Sequence, residues 1–495
     1  MELKVKLLKL TAGIPLVMLN LHTAEDMGLR TSDRVSLETF SKPPRQISTI
    51  INIVDKIVAK DEVGISEEIR KRLNLGHGEK VDVAFLPPSK SLVFIKKKLN
   101  GRILSRLEIN EIIKDIANNS LSEPEIALFV SAMYEEGMNM KEIIYLIEAI
   151  LKTGEVMKLK GDHVVDKHSV GGVPGNRTTP VVIPICAAAG LILAKTSSRA
   201  ITSAAGTADV IETIADVEFN MSDLKKIIKK TGACMVWGGS LKIVPADNKI
   251  IKIEKVLNID PESQLIASIM SKKLAVGSKY ILIDIPYGKT AKLSKKRAEL
   301  LKRKFEYLGR YFHKKLKCLI TDGSQPIGNG IGPALELMDI IKILDPHQTG
   351  PKDLEDKSLL QAGTIFEMTG KAKKGQGINL AKEILYSGKA YEKFKEIIKA
   401  QNGDLKRLKI GNFKENIHSK VKGKVREIDN KLISALARMA GCPIDKSSGI
   451  YLHKHVGDSV KKGEKIMTLY AESKHRLNEA ALFAHLHNPY HIKRL

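Results

Sequence analysis

One glycine-rich turn between a predicted strand and a predicted helix constrains this chain more than any other stretch. Val164 and Val165 favour a strand, residues 166–179 contain three glycines, and an apolar, alanine-rich segment begins at Pro180. At a helix N-terminus, backbone N–H groups point outward and the helix dipole favours an anion. The stretch therefore predicts a strand, a tight turn that can hold an anion, and a buried helix.

The side chains in and beside this turn also suit an anion. Glycine lets the backbone approach a ligand closely, while lysine and hydroxyl groups supply charge and hydrogen-bond donors. The turn is neither a Walker A loop nor a G-x-G-x-x-G turn, and the alternative is an ordinary loop with a solvated lysine. We favour the oxyanion site because charge, hydroxyl and glycine adjoin one another. The residues concerned are Lys167, His168, Ser169, Gly171, Gly172 and Gly175.

The motif Asp-Lys-His-Ser-Val-Gly-Gly-Val at 166–173 resembles the signature of the thymidine phosphorylase family of pyrimidine-nucleoside phosphorylases. Together with the run at 195–209, rich in serine and threonine, it resembles the archaeal branch of that family, the AMP phosphorylases. The resemblance extends over nearly the whole chain. It implies a pentosyltransferase of nucleotide degradation that cleaves nucleoside 5′-monophosphates with phosphate. AMP would be the first substrate, with CMP and UMP also accepted, and the products would be a free base and ribose 1,5-bisphosphate.

Length and composition indicate a multidomain globular protein. With 495 residues, the chain exceeds what one core usually serves, and 43% hydrophobic and 28% charged residues are typical of a folded chain. No apolar run approaches the ~20 residues that span a bilayer, and no signal peptide is evident, so we expect a cytoplasmic protein without membrane association. Four scattered cysteines are predicted to be reduced core thiols rather than metal ligands. They are Cys186, Cys234, Cys318 and Cys442.

The net charge of +25 raises the possibility of a basic nucleic-acid-binding protein. However, lysines are spread along the chain, aromatic residues make up only 5%, and no nucleic-acid motif occurs. A surface rich in lysine, glutamate and isoleucine also fits a thermophile. We therefore expect no nucleic-acid partner, and assign only a few local lysines to an anionic substrate.

The pattern predicts a multidomain α/β fold. Residues 1–86 contain a weak repeat, 24–37 echoed by 70–83, in which each copy indicates a short helix, a turn and a strand. Two such halves predict a small barrel-like module that resembles double-psi barrels. Isoleucines at helical spacing mark a second, helical segment, to which the family resemblance adds a later piece of the chain.

Strand–turn–helix units from about residue 160 predict a larger α/β domain with a mixed sheet, whose strand ends carry the site. A Gly-Asp-x-Val-x-x-Gly-Glu pattern near the C-terminus resembles the turn of lipoyl-type hammerheads and predicts an α+β module. The predicted domains are 1–86 (β-rich module), 99–160 with 250–278 (discontinuous helical domain), 161–249 with 279–420 (α/β domain), and 424–495 (C-terminal module).

Phosphorolysis requires that phosphate be held in line with the anomeric carbon while the glycosidic bond breaks. The resemblance places inorganic phosphate, as a co-substrate, in the glycine turn and the serine-rich run. No other cofactor and no metal are expected. The predicted phosphate ligands are Lys167, Ser169, Gly171, Gly172, Thr179, Ser197 and Thr207.

The departing base must also be protonated, and two residues are candidates for the proton donor. His168 has an imidazole that titrates in the right range. Asp260 precedes the returning helix, and a carboxylic acid of raised pKa can protonate a ring nitrogen of adenine. The resemblance favours Asp260, although this residue could instead be a helix N-cap before Pro261.

The resemblance also places the nucleotide. Ser268 and Lys272 lie one helical turn apart and would face the base together. A nucleotide's 5′-phosphate needs a second cationic pocket, for which we select Lys292 with Arg199 beside it. The predicted AMP ligands are Gly172, Ser198, Arg199, Ala200, Ile201, Thr202, Ser203, Thr207, Ser268, Lys272 and Lys292. The thymidine enzymes carry an arginine where this chain has Ile253, which disfavours thymidine.

Two rival enzymes share the resemblance: a pyrimidine-nucleoside phosphorylase and a phosphoribosyltransferase of the anthranilate type. The latter would need Mg²⁺ and acidic ligands near its glycine turn. The family commonly dimerises through its helical domain, so a homodimer or larger homo-oligomer is expected.

Overall fold

The computed structural model describes residues 1–11, 15–87, 89–159, 161–200, 203–241 and 243–494. The chain divides into two compact units, Met1–Gly154 with Pro245–Ser268, and Glu155–Val244 with Ile269–Leu495. Within the described ranges, no helix is both long and apolar enough to cross a membrane. Each unit has its own buried cores.

The first unit begins with a closed barrel of strand order β1-β5-β2-β4-β3-β6. Alternate strand residues, such as Leu3, Val5, Val35 and Leu37, fill its interior, as the period of a strand dictates. Both copies of the sequence repeat contain the predicted helix, turn and strand, which confirms the barrel. The elements are β1 Glu2–Leu7, β2 Val17–Asn20, α1 Leu21–Asp26, β3 Arg34–Thr39, β4 Gln46–Val54, β5 Glu62–Ile65, α2 Glu67–Leu73 and β6 Lys80–Leu86.

The predicted helices follow the barrel. Capping boxes begin three of them, at Ser105, Ser122 and Asn139, each with a glutamate three residues later. The isoleucines of the second helix are fully buried, as their 3–4-residue spacing predicts. The helices are α3 Ser91–Leu99, α4 Arg106–Asn118, α5 Glu123–Glu136 and α6 Met140–Lys152.

The second unit opens with two strand–helix segments of the predicted α/β domain. Their elements are β7 Val165–Ser169, α7 Thr179–Ala188, β8 Leu193–Ser197, α8 Thr207–Ile211, α9 Met221–Thr231 and β9 Ala233–Trp237. The chain then returns to the first unit through α10 Pro245–Leu257 and enters α11 Glu262–Val276, which crosses the boundary at Ser268.

The remainder of the α/β domain adds two strands to the sheet and a layer of helices. Strands β11-β10-β7 pair in parallel, as do β8-β9, and the bridge Val164–Ile192 joins the two groups. All five strands therefore end at one edge. Among the described residues of this segment, β12 pairs antiparallel with β15 of the C-terminal module. The elements are β10 Tyr280–Tyr287, α12 Lys295–Tyr311, β11 Lys315–Asp322, β12 Gly330–Ile331, α13 Pro333–Leu344, α14 Lys352–Thr369, α15 Gly377–Tyr386 and α16 Lys389–Ala400.

The C-terminal module has two small sheets, β12-β15-β17-β13 and β16-β14-β18, around its own core. Its elements are β13 Phe413–His418, β14 Gly423–Ile428, α17 Asn430–Ala440, β15 Gly449–Leu452, β16 Ser459–Val460, β17 Lys465–Ala471, α18 Lys474–Leu486 and β18 Tyr490–Arg494. The predicted boundary differs at one strand: we placed 279–420 in the α/β domain, yet β13 pairs with β17. Only Ile417 of β13 is buried, so its polar sequence resembled a linker.

The four cysteines, Cys186, Cys234, Cys318 and Cys442, are buried free thiols, as predicted. Burial raises the pKa of each thiol. They are therefore core residues and not reactive groups.

Candidate active site

The glycine turn joins the end of β7 to the start of α7, as the sequence predicted. Gly171, Gly172 and Gly175 have φ angles of +82°, +85° and +68°, a region that side chains with a Cβ avoid. The turn lies at the carboxyl edge of the parallel sheet, where the ends of β8, β9 and β10 also lie. The start of α7 thus lies at the edge where α/β proteins bind ligands, although Pro180 has no N–H and the N–H of Val181 donates to the carbonyl of Thr178 at 3.1 Å.

Lys167 is fully buried beneath this turn. Its Nζ donates to the hydroxyls of Thr178 and of Thr179, 3.1 Å away in the second case. Burial lowers the pKa of Lys167 to about 7, against the opposing effect of Asp284. Near neutral pH the side chain therefore exists partly as the neutral amine, which takes up a proton when an anion binds nearby.

A second buried lysine lies beside the first. Burial, followed by the neighbouring Lys273, holds the pKa of Lys195 well below its usual range, although Asp166 opposes the shift. Asp166 Oδ2 forms an ion pair with Lys273 Nζ at 2.7 Å, and Asp166 Oδ1 lies 3.8 Å from Lys195 Nζ. Positive groups thus crowd one another beneath the turn, and a bound anion would relieve that crowding.

Ser169 is held by a buried carboxylate that sequence reasoning missed. Its Oγ donates to Oδ2 of Asp284 at 2.8 Å, and Asn176 Nδ2 and Thr321 Oγ1 donate to the same carboxylate. Although burial opposes ionisation, Lys357 and Lys167 lower the pKa of Asp284. The parallel register of β10 and β7 places Asp284 opposite Ser169, a pairing that the sequence alone does not specify.

Lys292 packs directly against the turn. A Cβ on Gly172 would lie 2.5 Å from the Lys292 Cβ and 2.8 Å from its backbone nitrogen. Gly172 is therefore required for the close approach of the segment that carries Lys292. The structure therefore brings together Gly172 and Lys292, both of which the sequence analysis predicts to bind the nucleotide.

This packing predicts different outcomes for two neighbouring glycines. Gly171→Ala meets no atom within 4 Å, so it should cost only the left-handed backbone strain, roughly 1–2 kcal/mol. Gly172→Ala has the same strain and also displaces Lys292. We expect a larger loss in the free energy of unfolding, measured by denaturant titration, and a raised KM for the nucleotide. Equal effects in the two variants would contradict the packing argument.

Asp209 joins the two described parts of the serine-rich run, which lie before and after residues 201–202. The Asp209 Oδ2 accepts from the N–H groups of Ala200 and Gly206, each at 2.7 Å. The amide of Ala200 is therefore already engaged. Ser197 and Ser203 donate to backbone carbonyls of Val236 and Ala205. The predicted ligands Ile201 and Thr202 lie outside the described residues.

Arg199 is engaged by two carboxylates. It pairs with Glu212 and with Glu218, the latter at 2.9 Å, and its guanidinium lies 4.7 Å from the ring centroid of Trp237. The sequence predicts that Arg199 and Lys292 both bind the 5′-phosphate, but in the structure the charge of Arg199 is already paired with Glu212 and Glu218. Lys292 is therefore the stronger of the two candidates.

His168 is half-buried, and its Nδ1 atom, which is buried, has no hydrogen-bond partner among the described residues. Burial, together with Lys195 and three further lysines, holds its pKa well below the usual range. The imidazole is therefore neutral near pH 7. A neutral imidazole is a poor proton donor, which favours the other candidate, Asp260.

The remaining predicted residues divide between the two units. Asp260 and Ser268 belong to the first, where Ser268 Oγ donates to the buried Asp247 at 3.0 Å. Lys272 follows one turn later on α11 and belongs to the second unit. Thr207 is the first residue of α8, and its Oγ1 accepts from Arg177 Nη1 at 3.5 Å. The second unit contains Lys167, His168, Ser169, Gly171, Gly172, Thr179, Ser197, Ser198, Arg199, Ala200, Ser203, Thr207, Lys272 and Lys292.

The low pKa of Lys167 predicts pH-dependent anion binding. Sulfate does not titrate near neutrality, and it should bind to the protonated lysine. Above about pH 7 its Kd should rise by up to about tenfold per pH unit, with uptake of a proton. Calorimetry in buffers of different ionisation enthalpy measures both quantities. Lys167→Met should bind sulfate weakly at all pH values, and persistence of the wild-type pH profile in that variant would contradict the assignment.

Comparison with known proteins agrees with this architecture. Residues 161–391 match the glycosyl transferase family α/β domain, 93–154 match its helical bundle domain, and 424–493 match the pyrimidine nucleoside phosphorylase C-terminal domain. The fold is also similar to the crystal structure of anthranilate phosphoribosyltransferase from Thermus thermophilus. The TM-score is 0.51 at 19% identity, over 62% of this chain and 99% of that one. Fold and domain composition thus define a pentosyltransferase.

Full-length relatives narrow the class. The chain is 42% identical to the AMP phosphorylase of Pyrococcus furiosus over 99% of this chain and 97% of the relative. It is 43% identical to that of Thermococcus kodakarensis, over 100% and 98%, and 41% identical to that of Methanocaldococcus jannaschii, over 97% and 95%. The chain belongs to the AMP phosphorylase family.

Proposed function

We propose that this chain catalyses the phosphorolysis of nucleoside 5′-monophosphates. AMP and phosphate give adenine and α-D-ribose 1,5-bisphosphate, in the degradation of nucleotides. The observation that carries the proposal is the full-length likeness to AMP phosphorylases, in a chain whose glycine turn lies over two buried lysines of lowered pKa. Phosphate is a co-substrate, and no other cofactor is required.

In this proposal, phosphate occupies the glycine turn. The N-terminus of α7 and the ammonium of Lys167 stabilise its charge, and Ser169 and Thr179 supply hydroxyl groups. A phosphate oxygen attacks C1′ as the bond to the base breaks through an oxocarbenium-like state. Holding the nucleophile in line reduces the entropic part of the activation barrier, so the turn contributes mainly by positioning.

The leaving base is protonated by Asp260. The imidazole of His168, whose pKa lies well below its usual range, is neutral near pH 7, which leaves Asp260 as the better candidate for protonating a ring nitrogen of adenine. The role of His168 is then to contact the sugar. Ser268 and Lys272 contact the base.

The nucleotide's 5′-phosphate is bound by Lys292, which Gly172 holds against the turn. The segment from Ser198 to Ser203 contributes further contacts with the nucleotide. CMP and UMP are accepted as well. Thymidine is disfavoured, because Ile253, buried in α10, replaces the arginine with which thymidine enzymes contact a pyrimidine carbonyl. The enzyme acts as a homodimer or a larger homo-oligomer.

The test is direct. Purified protein is incubated with AMP, with and without inorganic phosphate, and free adenine is measured. We expect adenine release only when phosphate is present. Release that depends instead on pyrophosphate would favour a transferase of the anthranilate type, and equal activity on thymidine would favour a pyrimidine-nucleoside phosphorylase.

A further inference from the structure

A buried lysine on α14 lies against the carboxylate that holds Ser169. Lys357 Nζ is 3.3 Å from Asp284 Oδ2, and the side chains are 9% and 0% exposed. Among the described residues, Nζ has no hydrogen-bond partner. A buried ammonium with unused donors is costly, so it calls for a functional explanation.

The single hydroxyl hydrogen of Ser169 is already used in its hydrogen bond to Asp284. The hydroxyl hydrogen of Ser169 is donated to Asp284, and its oxygen accepts from Asn176 Nδ2 at 3.2 Å and from the Gly171 N–H at 3.4 Å. A hydroxyl has one hydrogen to donate. Ser169 can therefore donate to a phosphate only if it releases Asp284.

Release would leave a buried carboxylate oxygen with one donor fewer. Asn176 would still donate to Oδ2, and Thr321 to Oδ1, but neither carries a charge. Lys357 lies beside the same oxygen and has donors to spare. A small rotation of its side chain would replace the lost hydrogen bond with a charge-assisted one.

We propose that Lys357 is a positioning residue for phosphate: its ammonium takes over Asp284 when Ser169 turns its hydroxyl to the bound anion. The proposal rests on the proposed function in one respect, namely that phosphate binds in the glycine turn. Lys357 acts through Asp284 and Ser169 and does not itself contact the reacting atoms.

The test is Lys357→Met, with Lys98→Met as a matched control. Lys98 forms a similar ion pair with Glu142 in the first unit, at 3.1 Å and with side chains 3% and 1% exposed. Loss of a charge-assisted hydrogen bond predicts that Lys357→Met raises the phosphate KM by about tenfold or more, with the AMP KM within about twofold of wild type. Lys98→Met should lower Tm without changing the phosphate KM. If both variants lower Tm and neither changes the phosphate KM, the proposal is wrong.

A double-mutant cycle distinguishes positioning from direct binding. In a Ser169→Ala background there is no hydroxyl to release, so Lys357→Met should have little further effect on the phosphate KM. The same fold-change in both backgrounds would mean that Lys357 acts on the anion directly, and would overturn the proposal. Lys357→Gln serves if the methionine variant does not fold.

Sulfate binding by calorimetry separates this inference from the proposed function. It needs no turnover, and the same Lys357 and Ser169 variants should show the same pattern in Kd. If the wild type releases no adenine from AMP, the proposed function fails while the sulfate cycle still tests Lys357. If adenine is released but Lys357→Met changes the sulfate Kd by the same factor with and without the Ser169 hydroxyl, only the role of Lys357 fails.

Discussion

Asp260→Asn is expected to lower kcat by about 10²–10⁴-fold, the range typical of general acid catalysis. The amide is nearly isosteric with the acid but has no acidic proton for the leaving adenine. Because the change affects the bond-breaking step, KM for phosphate should change little. Steady-state kinetics with AMP measures both parameters, and an unchanged Tm would show that the fold is intact.

His168→Ala is the comparison for this prediction. Its neutral imidazole is not expected to supply the proton, so the variant should retain more activity than Asp260→Asn. A substrate whose leaving group departs as a stable anion should rescue Asp260→Asn and not His168→Ala. Near-normal kcat in Asp260→Asn with an inactive His168→Ala would reverse the assignment of the acid.

AMP is expected to exceed adenosine in kcat/KM by at least about 10²-fold. This ratio corresponds to about 2.7 kcal/mol, within the roughly 1.5–3 kcal/mol that a hydrogen bond between charged groups contributes, here the bond from Lys292 to the 5′-phosphate. Lys292→Ala should reduce the ratio by weakening the reaction of AMP, while the low activity on adenosine stays nearly unchanged. The two substrates are compared under the same phosphate concentration.

Lys289→Ala is a matched control for the Lys292 variant. Lys289 lies three residues earlier, where it is exposed and pairs with Glu427 at 2.7 Å. Its loss should leave the ratio of AMP to adenosine unchanged. A ratio reduced equally by both substitutions would indicate a general charge effect and not a specific contact of Lys292.

The sequence predicted the turns, helices and strands whose formation depends on neighbouring residues in the chain. The glycine turn between strand and helix, and the helix, turn and strand within each half of the barrel, depend on residues within a few positions of one another. Such features can be predicted from one sequence because helix caps, tight turns and hydrophobic periodicity are each defined by residues a few positions apart.

The partners of the predicted ligands were not predictable in the same way. Ser169 and Asp284 are 115 residues apart, and Lys357 comes from a third segment. Likewise, nothing near Arg199 in sequence indicated that Glu212 and Glu218 pair with it. Ion pairs between distant segments arise from the topology of the sheet, which one sequence specifies only indirectly.

The fate of inorganic phosphate tests the central claim most directly. Protein is incubated with AMP and isotopically labelled phosphate, and the sugar product is isolated. We predict that the label appears in a ribose that carries two phosphoryl groups, in amounts equal to the adenine released. Unlabelled sugar product, or label in a sugar with a single phosphoryl group, would contradict the phosphorolysis of a nucleotide.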